Sequence, residues 1–162
     1  MGGSNMELSF RTMMYVGCGC FVGGVLRYIT AVIISSAWGI TEVDMPWHTL
    51  FINFGGCLFM GIFCAMGVHG LIESPNLRAA LMTGLCGGYS TLASFALENT
   101  FIFRAGHHLT ALIYITATLV GSIVCFILGY LAIWVVIYSV TKRKTDRLNE
   151  MLRQKREKAQ EA

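Results

Sequence analysis

The sequence predicts an all-α membrane protein, a bundle of four transmembrane helices whose third helix is broken. Hydrophobic residues make up 55% of the 162 residues and charged residues only 13%, about half the usual charged share of a globular domain. Eight of the twelve Lys and Arg side chains lie in the last 21 residues. The rest of the chain cannot keep a water-soluble surface, which excludes a soluble enzyme, a nucleic-acid-binding domain, a disordered chain and a disulfide-stapled secreted domain.

Four apolar stretches are long enough to cross a bilayer, whose hydrocarbon core of roughly 30 Å needs about 20 apolar residues in a helix. They are residues 12–37, 47–70, 79–103 and 109–140. Helices satisfy their own backbone polar groups in lipid, and no stretch alternates with the period of two that a β-barrel requires. Residues 1–140 are therefore predicted to form one transmembrane domain, followed by a basic helical tail at residues 141–162.

The distribution of basic residues predicts the orientation of the bundle. An even number of spans places both termini on one side, together with Arg11, Arg78 and the eight tail cations, whereas the other side holds only Arg104. The positive-inside rule then puts both termini in the cytoplasm. The tail itself has two interpretations, a solvated helix that fixes topology, or an amphipathic helix lying on anionic lipid through Leu148, Met151 and Leu152.

The third span contains a weak point at bilayer depth. The Gly87–Gly88 pair is followed, after Tyr89, by Ser90 and Thr91, and glycine disfavours a helix interior. One interpretation is a kinked helix whose hydroxyls bond to the preceding turn. The other is a broken helix that frees carbonyls for a cation and amides for an anion. The remaining glycines, including those spaced four apart in spans 1 and 3, are expected to allow close helix packing.

Polar side chains recur inside the other spans. Asn53 lies in an apolar run with Thr49 one turn earlier. Tyr114, Thr118 and Ser122 are four residues apart in span 4, so they share one helical stripe. They are either hydroxyls satisfied by their own backbone or a track of hydrogen-bond donors.

The remaining candidate residues are one arginine, four histidines and six cysteines. Arg27 in span 1 is either functional, as intramembrane charges usually are, or snorkels to the interface. The histidines at positions 48, 69, 107 and 108 are expected to face water at the span ends, and the six cysteines, all within spans, to act as small apolar packing residues. No hydrolytic or redox constellation occurs, so the chain is not expected to be an enzyme.

Four segments in order carry a resemblance to a known family. They are Gly23-Gly-Val-Leu-Arg-Tyr28, Thr49-Leu-Phe-Ile-Asn-Phe-Gly55, Gly84-Leu-Cys-Gly-Gly-Tyr-Ser-Thr-Leu-Ala-Ser-Phe95 with Glu98, and the Tyr114, Thr118, Ser122 stripe. The chain resembles the Fluc (CrcB) fluoride channels over roughly residues 14–135. The resemblance implies an antiparallel dimer in the inner or plasma membrane, with two pores through which fluoride leaves the cytoplasm passively.

The resemblance also implies roles for individual residues. A structural sodium ion on the dimer axis would be held by the backbone carbonyls of Gly87 and Ser90, and Arg27 and Glu98 would be further functional residues. The fluoride pore would be lined by Thr49, Asn53, Leu92, Ser94, Phe95, Tyr114, Thr118 and Ser122. Hydroxyl and amide donors, together with the positive edge of the Phe95 ring, suit a small hydrated anion, and weak sites let it leave.

Two features depart from the family pattern. Leu92 stands where the family has the first of two pore phenylalanines. The charge bias of ten against one does not suit a chain that inserts both ways, which leads to the hypothesis of a heterodimer with a related, oppositely inserted subunit. Two other functions remain as alternatives, a non-conducting accessory or scaffold subunit, and a small multidrug transporter, whose mechanism needs a glutamate that span 1 lacks.

Overall fold

A computed structural model describes residues 9–38 and 45–160, with side chains as far as residue 153. Residues 39–44, between the first two predicted spans, therefore lie outside the described residues. The helices are α1 (Phe10–Trp38), α2 (Trp47–Val68), α3 (Pro75–Ala79), a π-helical segment (Ala80–Cys86), α4 (Gly87–Tyr89), α5 (Leu92–Arg104) and α6 (His108–Gln160). These described ranges contain no strand.

Four helical stretches are long and apolar enough to cross a membrane. They are Phe10–Trp38, Trp47–Val68, Pro75–Arg104 and His108–Arg153. The third is assembled from α3, the π-helical segment, α4 and α5, and it is interrupted at Ser90 and Thr91. The predicted fold class, an all-α membrane bundle with a broken third helix, is therefore confirmed.

Close approaches at glycines hold the helices together in two pairs. A β-carbon added at Gly23 of α1 would overlap the Leu85 carbonyl oxygen, and one at Gly88 would lie 2.7 Å from the Cys20 carbonyl oxygen. On the other side of the bundle, Gly61 of α2 is packed in the same way against the Phe126 carbonyl of α6. The expectation of close packing through small residues is confirmed for both pairs, because a side chain would push the backbones apart.

The connections between helices are fixed by polar contacts at one end of the bundle. Arg78 donates from Nη2 to the carbonyl oxygens of Gly67 and Ile72, each at 3.0 Å. These bonds tie Arg78 to the last turn of α2 and to the loop that follows it. Thr12 Oγ1 donates to Asn76 Oδ1 at 2.8 Å, which links the start of α1 to α3. The entry to the third span is thus held at its first turn.

The last helix, α6, has 53 residues and continues across residues 140 and 141 without interruption. At 1.5 Å per residue it is roughly 80 Å long, more than twice the hydrocarbon thickness of a bilayer. Leu148, Met151 and Leu152 are all exposed along this extension. A tail that continues a spanning helix leaves the bilayer along the axis of that helix, which favours the solvated helix over one lying flat on lipid.

Candidate ion path

The break in the third span is held open by one side chain of α2. Asn53 is 8% exposed; its Oδ1 accepts from the Thr91 backbone N–H at 2.8 Å, and its Nδ2 donates to the Thr91 carbonyl at 3.3 Å. Asn53 therefore supplies an acceptor for the Thr91 N–H, which has left the preceding helix, and adds a donor to the Thr91 carbonyl at the start of α5. Thr91 in turn caps α5, since its Oγ1 accepts from the Ser94 N–H at 3.2 Å. This short extended segment is stable in the membrane because its amides have partners.

Two carbonyls at the break lose their regular helical donors. In an α-helix the Gly87 carbonyl would accept from the Thr91 N–H, and the Ser90 carbonyl from the Ser94 N–H. The structure directs the first N–H to Asn53 and the second to the Thr91 hydroxyl. The Ser90 hydroxyl bonds back to the Cys86 carbonyl at 2.9 Å, as the kinked-helix interpretation expected. Gly87 itself is exposed at the surface of the bundle.

Several predicted pore residues line one cavity of about 280 Å³ beside this break. Its walls include Asn53, Leu92, Phe95, Thr118 and Ser122, from α2, α5 and α6. Thr118 Oγ1 is buried without a hydrogen-bond partner among the described side chains, although a threonine in a membrane helix usually bonds to its own backbone. The unused hydroxyl beside the cavity favours the donor-track interpretation for this position.

The two predicted ring positions differ in their surroundings. The Phe95 ring lies 5.1 Å from the ring of Tyr114, centroid to centroid, at an interplanar angle of 53°. Phe95 also packs against a small core of Leu50, Ile102 and Tyr114. Leu92 is 74% exposed in the single chain. Phe95 is therefore held by contacts within the chain, whereas most of the Leu92 surface is free of such contacts.

A second cluster surrounds Glu98 on α5. Thr49 Oγ1 donates to Glu98 Oε1 at 2.5 Å, and Tyr114 Oη donates to Glu98 Oε2 at 2.7 Å. His48 Nε2 lies 3.3 Å from Oε1. Tyr114 and Thr49 are almost completely buried, so the carboxylate is bound at the centre of three helices rather than at a solvated helix end.

Arg27 faces the same cluster across a cavity. The cavity holds about 260 Å³ and its lining includes Arg27, Tyr28, Ser94 and Glu98. Thr91 lines both this cavity and the one beside Phe95, so both cavities lie next to the break. The structure thus places seven of the eight predicted pore residues, with Arg27 and Glu98, in the walls of these two cavities. Tyr114 lines neither cavity and lies buried behind Glu98, and Gly87 also lies outside them.

The expectation that His48 faces water at a span end is wrong. Its side chain is 25% exposed and lies against Glu98, with Nδ1 buried. The sequence places His48 at the first turn of α2 but does not show that α5 brings a carboxylate to that turn. Asn99 was also missed: it is 7% exposed, and its Nδ2 donates to the Phe95 carbonyl at 2.8 Å. An amide one turn after a predicted pore residue was the available signal.

Fold and site together define a multi-pass membrane protein with hydroxyl and amide groups lining two cavities beside the break of the third span. A family model described as "CrcB-like protein, Camphor Resistance (CrcB)" matches residues 14–130. The chain belongs to this family, which confirms the resemblance found in its motifs.

Relatives of known name agree with this assignment. The "Fluoride-specific ion channel FluC" of Nautilia profundicola is 33% identical over 130 residues, covering 80% of this chain and 99% of the relative. "Fluoride-specific ion channel FluC 1" of Rhodopseudomonas palustris is 38% identical over 77% of this chain and 89% of its own length. A protein of the same name as the first, from Chlorobium phaeobacteroides, is 31% identical over 76% and 94%. These names describe channels and not enzymes.

Proposed function

We propose that this chain is a subunit of a fluoride-selective channel that lets fluoride leave the cytoplasm passively. The observation that carries the proposal is the cavity beside Phe95, where Asn53 and the unpaired Thr118 hydroxyl supply donors, in a chain whose relatives are named fluoride-specific channels. A small anion can exchange its water for such donors and for the positive edge of an aromatic ring. Weak donors at several sites bind the ion without trapping it.

The active form in this proposal is an antiparallel dimer that encloses the break of the third span. Gly87 is exposed in the single chain, its carbonyl has lost its regular helical donor to Asn53, and an unpaired carbonyl in hydrocarbon is costly. A partner subunit across this face would cover it. The Gly87 and Ser90 carbonyls, whose regular donors are directed elsewhere, fit a structural sodium ion, which takes oxygen ligands. Bound there, the ion would neutralise the carbonyl dipoles of both subunits.

The favoured setting is the inner or plasma membrane with both termini in the cytoplasm, and the favoured partner is a related subunit inserted the opposite way. The support is the charge count of the sequence, in which the tail of α6 adds eight cations to one side. Lipid would cover the exposed apolar side chains of α1 and α6. The exposed Leu92 and the one-sided tail also favour the accessory-subunit alternative, in which the chain itself does not conduct.

A liposome experiment tests the proposal. The purified chain, alone or co-expressed with a related subunit, is reconstituted and ion efflux is followed with a fluoride electrode, with chloride as the control ion. Selective fluoride efflux is expected, and Asn53→Ala and Phe95→Ala should each reduce it by on the order of tenfold or more, since a buried donor or ring edge is lost.

The matched control is Thr100→Ala. Thr100 is an exposed α5 residue that bonds only to the Ala96 carbonyl of its own helix, so its replacement should leave efflux unchanged. Fluoride efflux that tolerates both Asn53→Ala and Phe95→Ala would contradict the proposed path. Absence of efflux with and without a partner subunit would favour the accessory-subunit alternative.

A further inference from the structure

His48 and Glu98 form the one close contact between a basic and an acidic side chain found among the side chains that the structure describes, and it is an ion pair only when the histidine is protonated. The histidine lies in the first turn of α2 and the glutamate lies in the middle of α5, so the pair joins two helices of the proposed path. Nε2 and Oε1 are 3.3 Å apart, and the two side chains are 25% and 19% exposed. Water therefore screens this pair only partly, and its charge state acts on nearby ions.

Glu98 accepts hydrogen bonds from the same hydroxyl groups that would bind fluoride in the proposed path. Thr49 and Tyr114 both donate to its carboxylate, and both are predicted pore residues. A carboxylate and fluoride are both anions that accept hydrogen bonds, so they compete for the same two hydroxyls. An ionised Glu98 also repels an approaching anion. A cationic partner for the carboxylate would weaken both effects.

His48 is placed to be that partner. Of the groups around the pair, Arg27 and Tyr28 of α1 line the shared cavity, Glu98 comes from α5, and Tyr114 comes from α6. Arg27 stays charged at all ordinary pH values. Imidazole, by contrast, gains or loses its proton between about pH 5 and 8. A proton on His48 makes the pair neutral and strengthens its hold on Oε1, whereas its loss leaves the carboxylate charge on the path.

We propose that His48 is a positioning residue whose protonated form neutralises and holds Glu98, so that fluoride passes Thr49 and Tyr114 faster at acidic pH. The inference rests on the proposed function and adds a proton-dependent step to it. His48 does not need to touch the ion. It acts through Glu98 by setting the charge of the pair and the competition for the two hydroxyl donors.

The test compares fluoride efflux at pH 6 and pH 8, set equally on both sides of the liposomes, in whichever preparation conducts. Protein-free liposomes at each pH correct for leakage of hydrogen fluoride. The wild-type chain is expected to conduct faster at pH 6 by on the order of tenfold. His48→Gln, which keeps a donor but no charge, should conduct at the slow pH 8 rate at both pH values. His48→Lys, which stays charged, should conduct at the fast rate at both.

The matched control is His69→Gln. His69 lies at the opposite end of the same helix α2 and is exposed, so its replacement should leave the wild-type pH profile intact. Should His48→Gln fail to give a monodisperse preparation, His48→Lys decides the question. A wild-type pH profile in either His48 variant, or wild-type efflux that ignores pH, would overturn this inference alone. Absence of fluoride efflux at both pH values would remove the proposed function and this inference with it.

Discussion

At the scale of single residues, a few polar side chains decide what the interior of the bundle can bind. Asn53 forms hydrogen bonds with both the N–H and the carbonyl of Thr91. The Thr91 N–H is therefore not bonded to the Gly87 carbonyl, as it would be in a regular α-helix. Glu98 accepts hydrogen bonds from Thr49 and Tyr114 and lies beside His48. Asn53, Thr49 and the Tyr114 stripe could be predicted from the sequence because a polar group in an apolar span is costly and conspicuous. Their partners could not, because those come from other helices.

Leu92 gives a prediction at this scale. Its side chain is 74% exposed, so Leu92→Phe can be accommodated by the single chain without repacking. The new ring would supply the positive edge that leucine lacks. We expect Leu92→Phe to increase fluoride efflux from liposomes several-fold. The ring edge would stabilise the passing anion by on the order of one hydrogen bond to a charged group.

Leu97→Phe serves as the comparison for this prediction. Leu97 is also on α5 and is 55% exposed, but it does not line the cavity beside Phe95. Its replacement should leave efflux unchanged. A Leu92→Phe channel that conducts no faster than the wild type would show that a second ring is not limiting in this protein.

At the scale of elements, the third span carries the unusual geometry. The sequence predicted a weakness at Gly87–Gly88, but the chain departs from the helix two residues later, with Ser90 at ψ 154° and Thr91 at φ −147° and ψ 118°. These extended angles need no glycine. Gly88 is required for its close approach to Cys20. The π-helical segment Ala80–Cys86 was not predicted, because hydrophobic periodicity does not distinguish it from an α-helix over so few residues.

The contact between α1 and the third span gives a second prediction. A β-carbon at Gly23 would overlap the Leu85 carbonyl oxygen and lie 2.9 Å from the Tyr89 nitrogen, and backbone atoms cannot turn aside. Gly23→Ala should therefore destabilise the protein by about 1–3 kcal/mol, the usual cost of overpacking. Thermal unfolding in detergent, followed by size-exclusion chromatography with fluorescence detection, would measure it as a lower Tm.

Gly17→Ala is the matched variant on the same helix. A β-carbon there meets no atom within 4 Å among the described residues, and alanine is the better helix former. Its Tm should equal or exceed that of the wild type. Equal Tm values for Gly17→Ala and Gly23→Ala would mean that α1 can move away from the third span at little cost.

At the scale of the whole molecule, the asymmetry of charge is the dominant feature. The four spans and their order could be predicted because bilayer thickness fixes the length of each apolar stretch. The course of the tail could not, since a basic helical sequence is equally compatible with a helix on the membrane surface. Its backbone continues α6 without a break, so the tail extends from the fourth span along the axis of that helix.

This asymmetry gives a third prediction, on insertion. The full-length chain should carry a C-terminal reporter on the cytoplasmic side only, because basic segments are retained there. A chain ending at Thr141 has two basic residues, Arg11 and Arg78, on one side of the membrane and one, Arg104, on the other. With so small a difference it should insert in both orientations. Fusions to green fluorescent protein and to alkaline phosphatase, which are active on opposite sides of the membrane, would report the two fractions.

A full-length chain in which the eight basic residues of the tail are changed to glutamine separates the effect of charge from that of length. This variant should insert in both orientations, as the truncated chain does. Dual insertion of the unchanged chain would contradict the one-way hypothesis and would favour a homodimer.

The π-helical segment has a consequence for how the length of this protein can change during evolution. A π-helix bonds residue i to i+5 and so holds one more residue per turn than an α-helix. Losing one residue between Ala80 and Cys86 would let the segment close into an ordinary α-helix with little rotation of its flanks. The same deletion in α5 would turn everything beyond it by about 100°. Single-residue gaps in the third span should therefore be tolerated at residues 80–86, where Asn53 can still reach Thr91.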